Sequence, residues 1–153
     1  MRNASPDLLD ASVWLPLSAP DHVHHARARR YWEAESADQL AFCRVTALAF
    51  LRLTTNVAVL GDAVLDGPGA WHALRTWLDA PRVDFLAEPP GVDEVLARWA
   101  TGLDLRRGHW TDAYLAAFAV AAGSRLVTFD ADFSRFQGLS WIRLAAGADP
   151  ASP

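Results

Sequence analysis

The sequence contains no lysine; all fourteen of its cations are arginines. That absence removes every mechanism built on a lysine amine, including P-loop phosphate binding and Schiff-base chemistry. Arginine suits forked contacts to phosphate, although the abundance of alanine fits a GC-rich coding bias equally well. Cysteine is nearly absent too. Cys43 stands alone, so no intramolecular disulfide can form, and it reads most simply as a small buried apolar residue in a reducing compartment. No run of eighteen apolar residues occurs, and the opening MRNASPDLLD lacks the basic-then-apolar layout of a signal peptide. A cytoplasmic protein with no membrane association is expected.

An excess of positive charge is also lacking. Eighteen acids against fourteen arginines give a net charge of −4, which is not the general footprint of a nucleic-acid binder. Any RNA must be held by local arginines, with a divalent cation offsetting the acids at the reaction centre. What is present is apolar: 52% of 153 residues, with 21% charged, enough for one domain with one substantial core. That domain is expected to span residues 1–144, and the small, Pro/Gly-containing stretch 145–153 reads as a flexible tail.

The patterning alternates between strand-like and helix-like segments. Residues 7–10, 40–43, 83–86, 126–129 and 141–144 read as strands. Helices are predicted through residues 12–15 and over 22–35, 46–54, 70–78, 92–100 and 111–122. Thr46 is the expected cap of the third of these, and Gly123 stops the last. Residues 61–69 and the arginine-rich 103–109 read as loops. Such alternation predicts an α/β fold with a central, mostly parallel five-stranded sheet covered by helices on both faces. In such sheets the working site lies beyond the carboxyl ends of the strands.

Three acids fall where that edge is expected. Asp10 closes the first strand, Asp130 closes the fourth with Asp132 two residues on, and Asp112 opens the long helix. If the first and fourth strands are neighbours, these carboxylates crowd together. Like charges about 4 Å apart repel by roughly 1 kcal/mol in water and by more in a partly dry site. A hard cation relieves this, and oxygen ligands suit Mg²⁺ or Mn²⁺. Each acid taken singly also has an ordinary explanation: Asp112 and Asp10 at helix N-termini, Asp130 in a turn.

The segments Leu8-Leu9-Asp10-Ala11-Ser12-Val13-Trp14, Thr111-Asp112-Ala113-Tyr114-Leu115-Ala116-Ala117 and Leu126-Val127-Thr128-Phe129-Asp130-Ala131-Asp132-Phe133 resemble the first, third and fourth acidic motifs of PIN-domain ribonucleases of the VapC toxin type. Asp21-His22 with His25, Arg44-Val45-Thr46 with Phe50-Leu51-Arg52, and Asp79-Ala80-Pro81-Arg82-Val83 also resemble one subgroup of these toxins. The likeness runs over roughly residues 6–144. It implies a PIN-like fold, RNA cleavage dependent on Mg²⁺ or Mn²⁺ that blocks translation, a homodimer, and a cognate VapB-type antitoxin covering the site. By position it implies Asp10, Asp112 and Asp130 as metal-ligating catalytic acids and Asp132 as an auxiliary acid. Ser12 stands where the family often has a small polar residue near the metal.

One departure stands out. The family's second acid, a glutamate opening the helix after the second strand, is matched here by Ala47, and residues 39–61 contain no Asp or Glu at all. Catalysis could therefore be impaired, leaving a PIN-fold binding module that acts through an antitoxin or operator complex. Arg106, Arg107 and His109 precede the third acidic motif and could hold RNA phosphates; a solvated loop is the competing reading. Thr46 and Arg52 could stand close behind the metal ligands. His22, His24 and His25 lack a fourth partner at zinc spacing and read as polar helix-start residues. The seven tryptophans read as core or dimer surface, with base stacking open to Trp110. An aspartyl-phosphate phosphotransferase is excluded by the missing lysine and by the lack of a second Asp shortly after Asp10.

Overall fold

The computed structural model describes residues 5–145; apart from Ala145, the expected tail lies outside the described residues. Five strands, β1 (Asp7–Leu9), β2 (Leu40–Cys43), β3 (Val83–Leu86), β4 (Leu126–Thr128) and β5 (Trp141–Arg143), form one sheet. Their order is β3-β2-β1-β4-β5 and every pairing is parallel. Parallel neighbours require crossovers, supplied by α1 (Ala11–Ser18), α2 (His25–Arg30), α3 (Arg44–Thr54), α4 (Val57–Leu60), α5 (Gly67–Leu78), α6 (Val92–Gly102) and α7 (His109–Ala122).

Side chains alternate faces along a strand, and the three central strands are apolar at consecutive positions, so both faces are buried. Leu8, Ala41 and Leu126 face the α6–α7 layer, with Val95, Trp99, Ala116 and Phe118. Their neighbours Leu9, Phe42 and Val127 face the opposite layer, with Trp14, Phe50 and Leu74 from α1, α3 and α5. Trp14 stacks on Phe42 at 4.0 Å between ring centroids. Each fully buried Leu or Phe contributes roughly 1.5–3 kcal/mol, so the two layers clamp the sheet between them. Cys43 is buried and unpaired, as its isolation implied. Among the described residues no single helix is long and apolar enough to cross a membrane.

Helix boundaries differ from the sequence expectation for local reasons. α3 starts at Arg44 with Cys43 as its cap. Thr46 sits in its first turn, where Oγ1 accepts from the Cys43 amide at 2.9 Å and donates to the Cys43 carbonyl at 3.0 Å. Within the expected 61–69 loop, residues 61–63 coil into a short turn following α4, which Asn56 caps by accepting from the Ala58 amide. α5 begins three residues early, at Gly67, because Asp66 accepts from the Gly69 amide at 2.8 Å. The predicted 22–35 helix starts only at His25 and widens into a π-turn over Tyr31–Glu35. α7 starts at His109 rather than Thr111, and Gly123 ends it in the left-handed conformation at φ +66°.

That widened turn brings Tyr31 to a buried acid at the amino end of the sheet. Asp7 is 2% exposed. It accepts from the Tyr31 hydroxyl and the Ala37 amide and forms a fork with Arg125, at 3.0 Å from Nε and 2.7 Å from Nη2. The carboxylate is thus fully compensated, and it raises the affinity of the Arg125 guanidinium for its proton. Asp7→Ala is expected to cost about 2 kcal/mol, since it leaves the buried Tyr31 hydroxyl without its acceptor and deprives the partly exposed Arg125, which keeps its bond to the Glu35 carbonyl, of its carboxylate. Urea unfolding with an unchanged slope measures this; a loss below about 1 kcal/mol would contradict it.

Candidate active site

The other end of β1 is treated differently. Asp10 follows Leu9 at the carboxyl edge, with extended backbone (φ −63°, ψ 153°), and occupies the cap position of α1 without capping it through its side chain. Its Oδ2 accepts two hydroxyls instead: Ser12 Oγ at 3.0 Å and Thr128 Oγ1 at 2.9 Å. Each hydroxyl has one proton, and both are directed at the same carboxylate oxygen. Their lone pairs then receive backbone amides, Phe129 N on Ser12 and Asp130 N on Thr128. The ends of β1 and β4 are therefore tied to each other through Asp10.

Asp130 is held by the Asp132 amide, which donates to its Oδ1 at 2.8 Å and fixes the turn that follows β4. Asp112 lies in the first turn of α7, half-buried. The acids feel one another strongly. Burial, followed in size by the charges of Asp130, Asp10 and Asp132, pushes the Asp112 carboxyl up to about 6. Asp10 is also raised, chiefly by burial and to a smaller degree by Asp130, against the opposing pull of its hydroxyl donors. Among the described residues neither Asp10, Asp112 nor Asp130 shares an ion pair with an arginine, whereas Asp132 has Arg135 at 3.9 Å.

The contrast along β1 is chemical. Asp7 carries its own cation; Asp10, three residues on, has only neutral donors and other acids around it. Among the described residues no three His, Cys, Asp or Glu side chains stand close enough together to hold a metal ion between them. The carboxylates nonetheless lie within electrostatic reach of one another, since Asp130, Asp10 and Asp132 all contribute to raising Asp112. The donor set, oxygen only and uncompensated, fits a hard divalent cation better than zinc.

The other residues singled out from sequence are held by contacts of their own. Arg106 is tied to Asp104 at 3.0 Å, and its backbone amide donates to His109 Nδ1. Arg107 is exposed at φ +50°, a left-handed backbone uncommon outside glycine. Thr46 is occupied at the start of α3, as described. Arg52 lines a shallow groove with Leu48, Leu51 and Trp71 between α3 and α5, apart from the acids. His25 Nδ1 contacts the Pro16 carbonyl at 2.7 Å and His24 stacks on Phe129 at 4.6 Å, both structural contacts.

Ala47 does not suit the part expected of a missing acid. It is 1% exposed and belongs to the apolar layer of Leu9, Val13 and Phe50, where a carboxylate would be buried without a partner. Val45, by contrast, packs with the α7 layer that contains Ala113 and Tyr114, beside Asp112. Ala49, half-buried one turn further along, shares that flank. Thr128 went unnoticed in the sequence, although a hydroxyl inside an apolar strand two residues before an acid is a readable signal.

A family model for the PIN domain matches residues 8–139. Ribonuclease VapC41 of Mycobacterium tuberculosis is 38% identical over 144 residues, covering 91% of this chain and 98% of that protein. Ribonuclease VapC37 of the same species is 32% identical over 136 residues, 88% and 94% of the two chains. Among solved structures, VapBC-1 from nontypeable Haemophilus influenzae aligns with a TM-score of 0.64 at 16% identity, over 90% of this chain and 96% of that one. The sheet order, the acids at its carboxyl edge and these likenesses agree: the chain belongs to the PIN-domain family, within its VapC-type group.

Proposed function

We propose that the chain is an endoribonuclease toxin that uses Mg²⁺ or Mn²⁺ at Asp10, Asp112 and Asp130 to cut RNA and so block translation. The observation that carries this is the set of uncompensated carboxylates, two of them with raised proton affinity, where β1, β4 and α7 meet. The ribonuclease names of its relatives support the reading. A divalent cation bound there would supply a water more acidic than bulk water and a counter-charge for the phosphodiester.

The protein's own residues do the rest. Ser12 and Thr128 orient Asp10 so that its direction is set before any ligand arrives. The Asp132 amide does the same for Asp130. Asp112 enters from a helix start, where the backbone dipole favours its anion. Asp132, largely exposed, would act as an auxiliary acid at the rim, and Arg107 and His109 would meet the phosphates of the RNA chain. The reaction belongs in the cytoplasm, where RNA is met.

The partners follow from the same charges. A VapB-type antitoxin would silence the site by placing a basic side chain among the acids, since they attract an arginine as readily as a metal. The solved VapBC-1 complex supports that pairing, and a homodimer of the toxin is part of the proposal. The test is cleavage of an RNA transcript with purified protein. Cleavage that needs added Mn²⁺ or Mg²⁺ and stops with EDTA is expected; undiminished cleavage in chelator would refute the metal.

A further inference from the structure

α6 and the turn after β4 meet beside the acids. α6 runs antiparallel to α7, since a Cβ on Gly91, just before α6, would lie 3.9 Å from the Ala121 Cβ near the end of α7. The last residue of α6, Gly102, therefore comes to the end of α7 that bears Asp112. Arg135 reaches the same place from the turn that follows β4. Between them lies a hollow of about 380 Å³, bordered by Arg98, Trp99, Gly102, Leu103, Arg135 and Gln137. Trp99 is buried and packs on Phe136, 4.8 Å between ring centroids, which makes a firm wall. No carboxylate borders the hollow, in a chain whose net charge is −4.

Arg135 joins this hollow to the acids. Its Nε donates to the Asp132 carbonyl at 2.9 Å. Its Nη2 stands 3.9 Å from Asp132 Oδ1, too far for a hydrogen bond. One of five guanidinium donors is thus committed, and the Nη donors make no hydrogen bond among the described residues. An arginine placed only as a counter-charge closes its fork on a carboxylate, as Arg125 does on Asp7. Arg135 is fixed through a backbone carbonyl instead, and its fork is left over. Its charge still reaches Asp112, where it opposes the rise set by burial and the other acids. Arg98, exposed on α6, has no ion pair or hydrogen bond among the described residues.

We infer that this hollow seats a backbone phosphate of the RNA next to the one being cut, gripped by the Arg135 fork with Arg98 across from it. Guanidinium forks match the paired oxygens of phosphate, and the loose, exposed contact of Arg135 with the Asp132 carboxylate is weak enough to be exchanged. An acidic peptide is the other occupant that two arginines suit. Position favours RNA, because the hollow opens directly beside the acids at which the strand is cut. The inference rests on the RNA-cleavage reading above.

The test uses full-length protein carrying Asp112→Asn, in EDTA, so that RNA is bound without being cut. The probe is a fluorescent single-stranded octaribonucleotide followed by anisotropy at several salt concentrations. Arg135→Ala is expected to weaken binding about tenfold and Arg98→Ala about threefold, each flattening the salt slope by about 0.7. Gly102→Glu sets a carboxylate at the hollow, and a Cβ there meets nothing within 4 Å; it should fold normally and bind more weakly than Arg98→Ala. Arg29→Ala, which removes an exposed arginine on α2, should leave the slope unchanged. Weakening in Arg135→Ala alone, with Arg98→Ala and Gly102→Glu binding like the parent, would assign Arg135 to holding its turn and overturn the subsite. So would a loss seen only with an octaglutamate peptide in place of the RNA. If the unmodified chain still cuts RNA with Mn²⁺ in either case, only the subsite is wrong. A chain that neither binds nor cuts RNA overturns both readings.

Discussion

Asp112→Asn is expected to abolish metal-dependent RNA cleavage while making the metal-free protein more stable. The loss should exceed the roughly 10–100-fold that follows from removing a mere supporting partner of a metal ligand, because the amide removes an anionic ligand outright. The gain in stability has a separate cause. In the metal-free protein the Asp112 carboxyl ionises at about 6, against an ordinary 3.8. A folded state that holds a proton more tightly than the unfolded chain is favoured at low pH. Stability therefore declines as pH rises from about 4 through about 6 and is flat above that. Asparagine imitates the protonated form and escapes the decline. Thermal melts in EDTA at pH 5 and 7.5 should show the variant gaining on the native protein at both, and clearly more at the higher pH. Equal melting at both pH values would mean that Asp112 carries no electrostatic penalty.

The same titration sets the pH dependence of metal binding. Protons and metal compete for Asp112, so Mn²⁺ affinity should fall as pH drops below about 6, and stabilisation by added Mn²⁺ should be larger at pH 7.5 than at pH 5.

The second large effect separates two neighbouring alanines. Ala47→Glu would enclose a carboxylate in the apolar layer around Leu9, Val13 and Phe50. An unpaired buried charge of this kind costs several kcal/mol, so the variant should melt far lower and gain no metal affinity. Ala49→Glu puts the same group on the half-buried flank shared with Val45, toward α7. It should fold normally, bind Mn²⁺ about tenfold more tightly, and be harder to express without an antitoxin. Calorimetric Mn²⁺ titration of both variants with thermal melts distinguishes the positions. A gain in affinity from Ala47→Glu alone would reverse the assignment.

The sheet was legible because its signal is redundant: consecutive apolar pairs such as Leu8-Leu9 and Leu126-Val127 have no solvent face and demand cover on both sides. The acids were legible because each closes a strand or opens a helix, a position set by local pattern. The phase within a helix was harder. Ala47 and Ala49 differ by 200° around α3, yet the stretch 47–51 between Thr46 and Arg52 carries no charge or polar group from which to read the rotation. α5 began early because Gly67, Pro68 and Gly69 read as loop, while the capping Asp66 outweighs them. Asp7 was passed over because its partners Tyr31 and Arg125 are 24 and 118 residues distant, beyond any local pattern. Thr128 likewise meets Asp10 only across the β1–β4 junction, 118 residues away.

Whether Asp10, Asp112 and Asp130 bind one divalent cation can be seen directly. Crystals soaked in MnCl₂ and measured near the manganese absorption edge locate the ion by its anomalous signal, independent of any activity. The expected result is a peak bounded by oxygens of these three aspartates at about 2.0–2.2 Å, absent from crystals of Asp112→Asn. No peak there in a well-ordered site at pH 7.5, or a peak confined to other residues, would contradict the account.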